Sequence, residues 1–313
     1  MMKKCLFCYK PLDEDEIDFH TSCSKKMFGT AMPPVLDFDQ EEIEKLAKKI
    51  IVKSIAITGV QSKLSLQLEK NIKETPRLTI VGLYGDFILK PQSEQYAELP
   101  QNEDLTMHLA ELIKIKTAKH TLIRLKTGEL AYITQRFDRQ NGQKIAVEDL
   151  CQLSENLTEH KYRSSIEKVG KIVHQFTENK GFEMQRLFEL VLFCYFTGNA
   201  DMHLKNFSLI ENASGEYQLS PAYDLLNTKL VIKEDSEESA LTINGRKNKL
   251  KRSDFDALAE NFGIGEKSKQ AIYKRFQKVQ PQWVECVQNS FLSAEMKQQY
   301  CVFIQEKMKS FFE

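Results

Sequence analysis

The residues best equipped for chemistry lie in one stretch, Gly198-Asn199-Ala200-Asp201-Met202-His203-Leu204-Lys205-Asn206-Phe207-Ser208-Leu209-Ile210. It is polar at its centre and sits between two apolar runs, Leu187 to Phe196 and Phe207 to Ile210. A polar segment held between core elements is costly to place unless its side chains have a task. Asp201 and Asn206 are five residues apart, and a second carboxylate, Asp224, follows a short hairpin. One carboxylate can take the proton of a hydroxyl group. A carboxylate and an amide oxygen can hold Mg²⁺, a hard cation that prefers oxygen. Together these are parts of a phosphoryl-transfer site.

Such a site also needs a cation against the phosphates. Lys90 ends the apolar run Phe87-Ile88-Leu89 and precedes Pro91. It suits a strand-end lysine that pairs with nucleotide phosphates, with Glu103 as its partner. Lys205, next to Asn206, is placed to reach the transferred group. His203 reads more readily as a brace of the loop than as a reactant. Plainer readings exist: Asp201 and Asp224 as helix caps, Lys90 and Lys205 as solvated cations. The order and spacing of the whole set weigh against them.

Two further segments complete the candidate nucleotide site. From Ser54 to Ser62 hydroxyl residues surround Gly59. Backbone N–H groups of Thr58, Gly59, Val60 and Gln61 would cover phosphates there. The segment fits neither G-x-x-x-x-G-K-[ST] nor G-x-G-x-x-G, so an ordinary loop before a strand is the rival reading. Gln135 to Phe137 closes the last strong strand signal, where backbone groups would meet an adenine.

The first 35 residues carry Cys5-x2-Cys8 and His20-x2-Cys23, with eleven residues between the pairs. Cys5, Cys8, His20 and Cys23 suit a closed tetrahedral Zn²⁺ site. The segment has too few apolar residues for a core of its own, and a metal staple would compensate. The alternative is a short surface flap with ordinary Cys and His.

Composition bounds the rest. Of 313 residues, 42% are hydrophobic and 28% charged, in the range of a globular chain with a buried core. Lys+Arg and Asp+Glu both number 44, which argues against strong direct nucleic-acid binding. No run is long and apolar enough for a membrane span, and the start lacks a signal-peptide core. Seven Cys, several in helical patterns, fit thiols in a reducing cytoplasm.

The elements that would position these residues follow from periodicity. Asp39 caps a helix from Gln40 to about Val52. Leu64 to Leu68 alternates as a strand; Leu78 to Val81 and Phe87 to Lys90 are further strands. A helix runs from about Asn102 to Ile115. His120 to Leu125 and Leu130 to Phe137 flank a turn at Lys126-Thr127-Gly128-Glu129. From 146 to 197 the pattern is helical, with Glu183 to Phe196 central. Trp283 to Leu292 and Met296 to Phe312 close the chain as helices. The predicted class is α+β and bilobal. Residues 1–35 form the Cys/His module, 36–139 a small, mostly β lobe with the Gly-containing loop, and 140–313 a larger helical lobe with the catalytic and metal-binding loops.

The runs Gly59-Val60-Gln61-Ser62-Lys63, Phe87-Ile88-Leu89-Lys90-Pro91, Gln135-Arg136-Phe137-Asp138-Arg139, Glu148-Asp149-Leu150-Cys151-Gln152, Gly198 to Asn206 and Tyr223-Asp224-Leu225-Leu226 resemble, in order, the HipA family of toxin kinases. The short chain and the Cys/His start resemble most the HipT branch of three-gene HipBST systems. A further N-terminal subdomain of the HipA kind has no room before Ser54. The resemblance implies a kinase-like fold, ATP and Mg²⁺, and phosphorylation of a Ser or Thr on an aminoacyl-tRNA synthetase. It also implies autophosphorylation, which maps to Ser54, with a HipB-like DNA-binding antitoxin and a small HipS-like protein as partners. A small-molecule phosphotransferase and a catalytically dead binding module are the alternatives.

Overall fold

The computed structural model describes residues 3–53, 63–70, 75–81, 85–140, 143–232 and 234–313, without the side chains of 47–53 and 140. Ser54, Thr58, Gly59, Val60 and Gln61 lie outside the described residues. The chain divides into two compact units. The first comprises Met1–Leu105, Ala118–Phe137 and Asn289–Leu292; the second comprises Thr106–Thr117, Asp138–Gln288 and Ser293–Glu313.

The first unit opens with a Cys/His loop and helix α1 (Thr21–Phe28). Helix α2 (Gln40–Lys53) begins at a reciprocal cap. Asp39 Oδ1 accepts from the Glu42 backbone N–H at 2.8 Å, and Glu42 Oε2 accepts from the Asp39 N–H at 3.0 Å. Strands β1 (Leu64–Glu69), β2 (Arg77–Val81) and β3 (Phe87–Lys90) follow. Helix α3 (Leu99–Leu112) precedes the hairpin of β4 (His120–Arg124) and β5 (Leu130–Gln135). These strands form an antiparallel sheet in the order β2-β1-β3-β5-β4. Alternation decides which face is buried: Leu64 and Leu66 of β1 are inside, while Ser65 and Gln67 are half-buried. Leu6, Phe28, Leu66, Phe87, Leu89 and Ile133 belong to one apolar core, so the Cys/His module packs on the sheet.

Helix α3 starts at Leu99, three residues before the predicted Asn102. Pro100 lies in its first turn, where a missing N–H costs nothing. The Asn102 N–H donates to the Glu98 carbonyl at 2.9 Å and closes that turn.

In the second unit, β6 (Arg139–Gln140) and β7 (Gln143–Lys144) form a small hairpin before β8 (Val147–Asp149) and helix α4 (Leu150–Leu153). Helices α5 (Ile166–Phe176) and α6 (Lys180–Thr197) precede strands β9 (Ser208–Glu211) and β10 (Tyr217–Leu219). The predicted helical pattern from 146 is corrected here: Val147–Asp149 is a strand paired with β9 in a three-stranded antiparallel sheet. Helices α7 (Arg252–Asn261), α8 (Glu266–Asn289) and α9 (Ala294–Phe312) complete the unit. The helix expected to start at Trp283 begins at Glu266 and runs through Pro281. An interior proline costs about 3 kcal/mol or more. Burial on both sides offsets that cost: Phe276 and Trp283 are fully buried, and the indole N–H donates to the Leu109 carbonyl at 2.9 Å. Among the described residues no helix is long and apolar enough to cross a membrane.

Candidate active site

The candidate loop begins where α6 ends. Gly198 caps that helix at φ 73°, a left-handed conformation suited to glycine. A Cβ there would stand 2.8 Å from both Asn227 Oδ1 and the Phe303 ring. The chain therefore turns sharply at Gly198, and Asn199 to Asn206 are held by polar contacts. The Asn199 side-chain oxygen accepts from the Asp201 N–H at 3.1 Å, and the Ala200 N–H donates to the Thr228 hydroxyl at 3.0 Å.

Asn206 is buried, and its Nδ2 donates to the Asp201 backbone carbonyl at 3.0 Å. That bond spans the five-residue interval and commits the amide nitrogen. Oδ1 is left as the amide's acceptor, the atom a hard cation would use. The Asp201 carboxylate accepts at Oδ1 from the Tyr162 hydroxyl at 2.6 Å. Burial pushes the Tyr162 phenol up, and the bond to Asp201 adds to that shift, so it stays a donor.

His203 is buried beside Tyr162. Its ring meets Tyr162 edge-on with centroids 5.0 Å apart. Burial holds its imidazole below the usual range, while the charges of Asp201 and Asp224 pull the other way. Its Nδ1 is buried and has no hydrogen-bond partner among the described residues. Lys205 donates to Asp149 Oδ2 at 2.8 Å. Asp149 also caps α4 through the Gln152 N–H at 2.9 Å.

Asp224 is brought in by its neighbours. The Tyr223 hydroxyl donates to the Lys205 carbonyl at 2.8 Å and lies 2.6 Å from the Ser208 hydroxyl. This ties the residue before Asp224 to both ends of the Lys205–Ser208 segment. Upstream, buried Glu183 accepts the Leu219 N–H at 2.9 Å. Arg186 donates to Glu183 at 2.8 Å and to the Leu219 carbonyl at 3.1 Å. The ion pair thus anchors the end of β10, from which the chain reaches Asp224. Asp224 itself has φ 59°, which aspartate tolerates better than most residues.

In the first unit, Lys90 at the end of β3 is 4% exposed. Its Nζ donates to Glu103 Oε1 of α3, itself 3% exposed, at 2.5 Å. Gln135 closes β5 opposite Phe87, and Phe137 follows it. Cys5, Cys8, His20 and Cys23 converge: one ligand-capable atom from each lies within 4.8 Å of all the others.

Spacing alone brought Asp201, Asn206 and Asp224 to notice. It missed Tyr162, which lies in a polar loop 39 residues from Asp201. It also gave Asp149 no role, although that residue stands inside one of the quoted runs.

Comparison with known proteins bears on this arrangement. Residues 55–283, well over half of the chain, match the HipA-like C-terminal domain. The chain belongs to that family. A putative kinase of Haemophilus influenzae is 26% identical over 297 residues, covering 84% of each chain. The putative kinase Y4dM of Sinorhizobium fredii is 31% identical over 231 residues, 69% of this chain and 55% of that one. The serine/threonine-protein kinase toxin HipA of Shewanella oneidensis is 30% identical over 207 residues, 59% of this chain and 45% of that toxin. This HipA-like chain therefore spans about half the length of the last two relatives.

The solved Shewanella oneidensis HipA, from a complex of HipA, HipB and operator DNA, matches with a TM-score of 0.69 at 20% identity. The match covers 86% of this chain and 70% of that one. The Helicobacter pylori proinflammatory kinase CtkA matches with a TM-score of 0.54 at 14% identity, covering 79% and 93%. At these identities the likeness shows the fold, which is the kinase-like HipA fold.

Proposed function

We propose that this chain is an ATP-dependent serine/threonine protein kinase toxin of the HipT kind, acting in the cytoplasm on an aminoacyl-tRNA synthetase. The observation that carries the reading is the loop Asp201–Asn206, closed by the bond from Asn206 Nδ2 to the Asp201 carbonyl. Tyr223 ties the segment before Asp224 to that loop. One loop thus carries a carboxylate and an amide oxygen, and the residue before a second carboxylate is tied to it, which supports this reading.

ATP with Mg²⁺ supplies the transferable phosphoryl group and part of the charge neutralisation. Asn206 and Asp224 would hold the cation. Asp201 would orient the substrate hydroxyl and accept its proton as that oxygen bonds to the γ-phosphorus and the bond to the bridging oxygen breaks, with ADP leaving. Lys90, held by Glu103, neutralises phosphate charge. Thr58, Gly59, Val60 and Gln61 cover the phosphates through backbone N–H groups, and backbone groups from Gln135 to Phe137 receive the adenine. Lys205 steadies the loop through Asp149, within reach of the transferred group when that pair opens. His203 serves as a neutral brace. Autophosphorylation falls on Ser54 and adds roughly two negative charges to the phosphate loop. A HipB-like antitoxin and a small HipS-like protein are the partners that fit this reading.

The test is incubation of the protein and its Asp201→Asn variant with labelled ATP and cell extract. The expected result is label on a synthetase-sized protein and on a Ser54 peptide of the wild type, both lost in the variant. Label confined to small molecules would indicate a phosphotransferase. No label at all would indicate a binding module. A phosphopeptide at Ser62 or Ser65 in place of Ser54 would move the modification site.

A further inference from the structure

The Cys/His module supplies none of the residues assigned above to phosphoryl transfer, yet four of its side chains converge. Cys5 is fully buried and Cys23 nearly so. His20 donates from Nε2 to the Pro11 carbonyl at 2.9 Å when it carries its proton there. That tautomer leaves Nδ1 as a bare lone pair. Nδ1 faces two sulfurs at once, Cys8 Sγ at 3.4 Å and Cys23 Sγ at 3.7 Å. In a tetrahedral zinc site, Zn–S of about 2.3 Å and Zn–N of about 2.0–2.1 Å put the sulfur and nitrogen ligands about 3.6 Å apart. The observed separations bracket that value. An outer carbonyl that fixes the tautomer of a ligating histidine is the usual support for such a site.

We infer that Cys5, Cys8, His20 and Cys23 bind one Zn²⁺ as a closed structural centre that braces the sheet carrying Lys90. Three thiols lose their protons on binding, and His20 enters neutral, so the centre carries one net negative charge. With four protein ligands it has no open position for substrate, which assigns it to folding rather than catalysis. Thiolate ligands favour zinc over magnesium or calcium.

The brace runs through the residue after Cys8. The Tyr9 hydroxyl donates to Asp104 Oδ2 at 2.6 Å, and the other oxygen of Asp104 meets His120 Nδ1 at 2.7 Å. Asp104 follows Glu103, the partner of Lys90. On the other side, the Phe28 ring packs 5.8 Å from Phe87 of β3. The metal would thereby fix both the strand and the helix that hold the ion pair. The inference stands independently of the phosphoryl-transfer reading, because its first readout is metal content.

The experiment uses the full chain purified without chelator. Elemental analysis is expected to find about one zinc per chain, released when a mercurial blocks the thiols. Cys8→Ser and His20→Asn should each lose most of that zinc, whereas Cys151→Ser and Cys301→Ser should keep it. If the first two variants fail to fold, cobalt replaces zinc in the wild type, and thiolate-to-cobalt absorption is expected. Wild type without zinc and without that absorption would overturn the inference. So would full zinc content in soluble Cys8→Ser and His20→Asn, or a disulfide among Cys5, Cys8 and Cys23 in the freshly isolated protein.

Discussion

The Tyr162 hydroxyl donates a 2.6 Å hydrogen bond to the Asp201 carboxylate, the same group proposed to receive a substrate hydroxyl. A phenol in that place imitates the incoming nucleophile. In the proposed reaction a protein substrate would compete with this side chain for Asp201. Tyr162→Phe removes the competitor while keeping the ring against His203. A neutral-to-charged hydrogen bond is worth about 1.5–3 kcal/mol, of which exchange for the substrate hydroxyl recovers part. The expected outcome is a KM for the protein substrate lowered about 5-fold, with kcat held or raised. Steady-state kinetics with labelled ATP checks this. A fall in kcat of about tenfold or more would show instead that Tyr162 orients Asp201.

Lys90 and Glu103 are buried together, so neither charge can turn to water. Removing one partner of such a pair typically costs about 3–5 kcal/mol. Glu103→Gln is expected to lower the stability of the first unit by that order and to raise the KM for ATP. Chemical denaturation and ATP titration of the same variant provide the two readings.

Gly198 ends α6 at φ 73°, with no room for a methyl group. An L-residue in the left-handed region costs roughly 1–2 kcal/mol, and the contacts with Asn227 and Phe303 add to it. Gly198→Ala should lower Tm by several degrees and reduce phosphoryl transfer more than stability alone would. Calorimetry and the labelled-ATP assay separate the two effects.

His203 provides a pH dependence with a definite sign. Burial lowers its folded-state pKa below the ordinary value of about 6.5, despite the opposing charges of Asp201 and Asp224. As pH falls through that value, the unfolded chain takes up the proton before the folded one. Stability is therefore unaffected well above 6.5 and declines below it, until the folded state is protonated too. His203→Asn should flatten the slope of stability against pH between about 5 and 7. Urea unfolding across that range measures it.

Local chemistry made much of the first unit legible. Asp39 and Glu42 announce α2, alternation announces β1, and the Lys126–Glu129 turn announces the β4–β5 hairpin. What escaped reading depended on distant partners. Val147–Asp149 is a three-residue strand whose ladder lies on Ser208–Ile210, too short for a period of its own. The start of α8 at Glu266 escaped as well, because what carries that helix through Pro281 is the burial of Phe276 and Trp283. In the site, Asp201, Asn206 and Asp224 stood out by order and spacing. Tyr162 carries no pattern, since a lone tyrosine in a polar loop looks the same whether or not its hydroxyl meets a carboxylate.

The bond from Asn206 Nδ2 to the Asp201 carbonyl explains why an amide, and not a third acid, suits position 206. An amide is two-faced: it donates from one atom and accepts at the other. A carboxylate at 206 would set lone pairs against the Asp201 carbonyl oxygen, and the loop would spring open there. It would also change the electrical sum. In the proposed site Asn206 and Asp224 would hold one divalent cation while Asp201 faces the substrate hydroxyl. A carboxylate at 206 would add a negative charge facing the polyanionic tail of the proposed nucleotide. Asn206 is thus a place where the geometry of the loop and its charge balance ask for the same side chain.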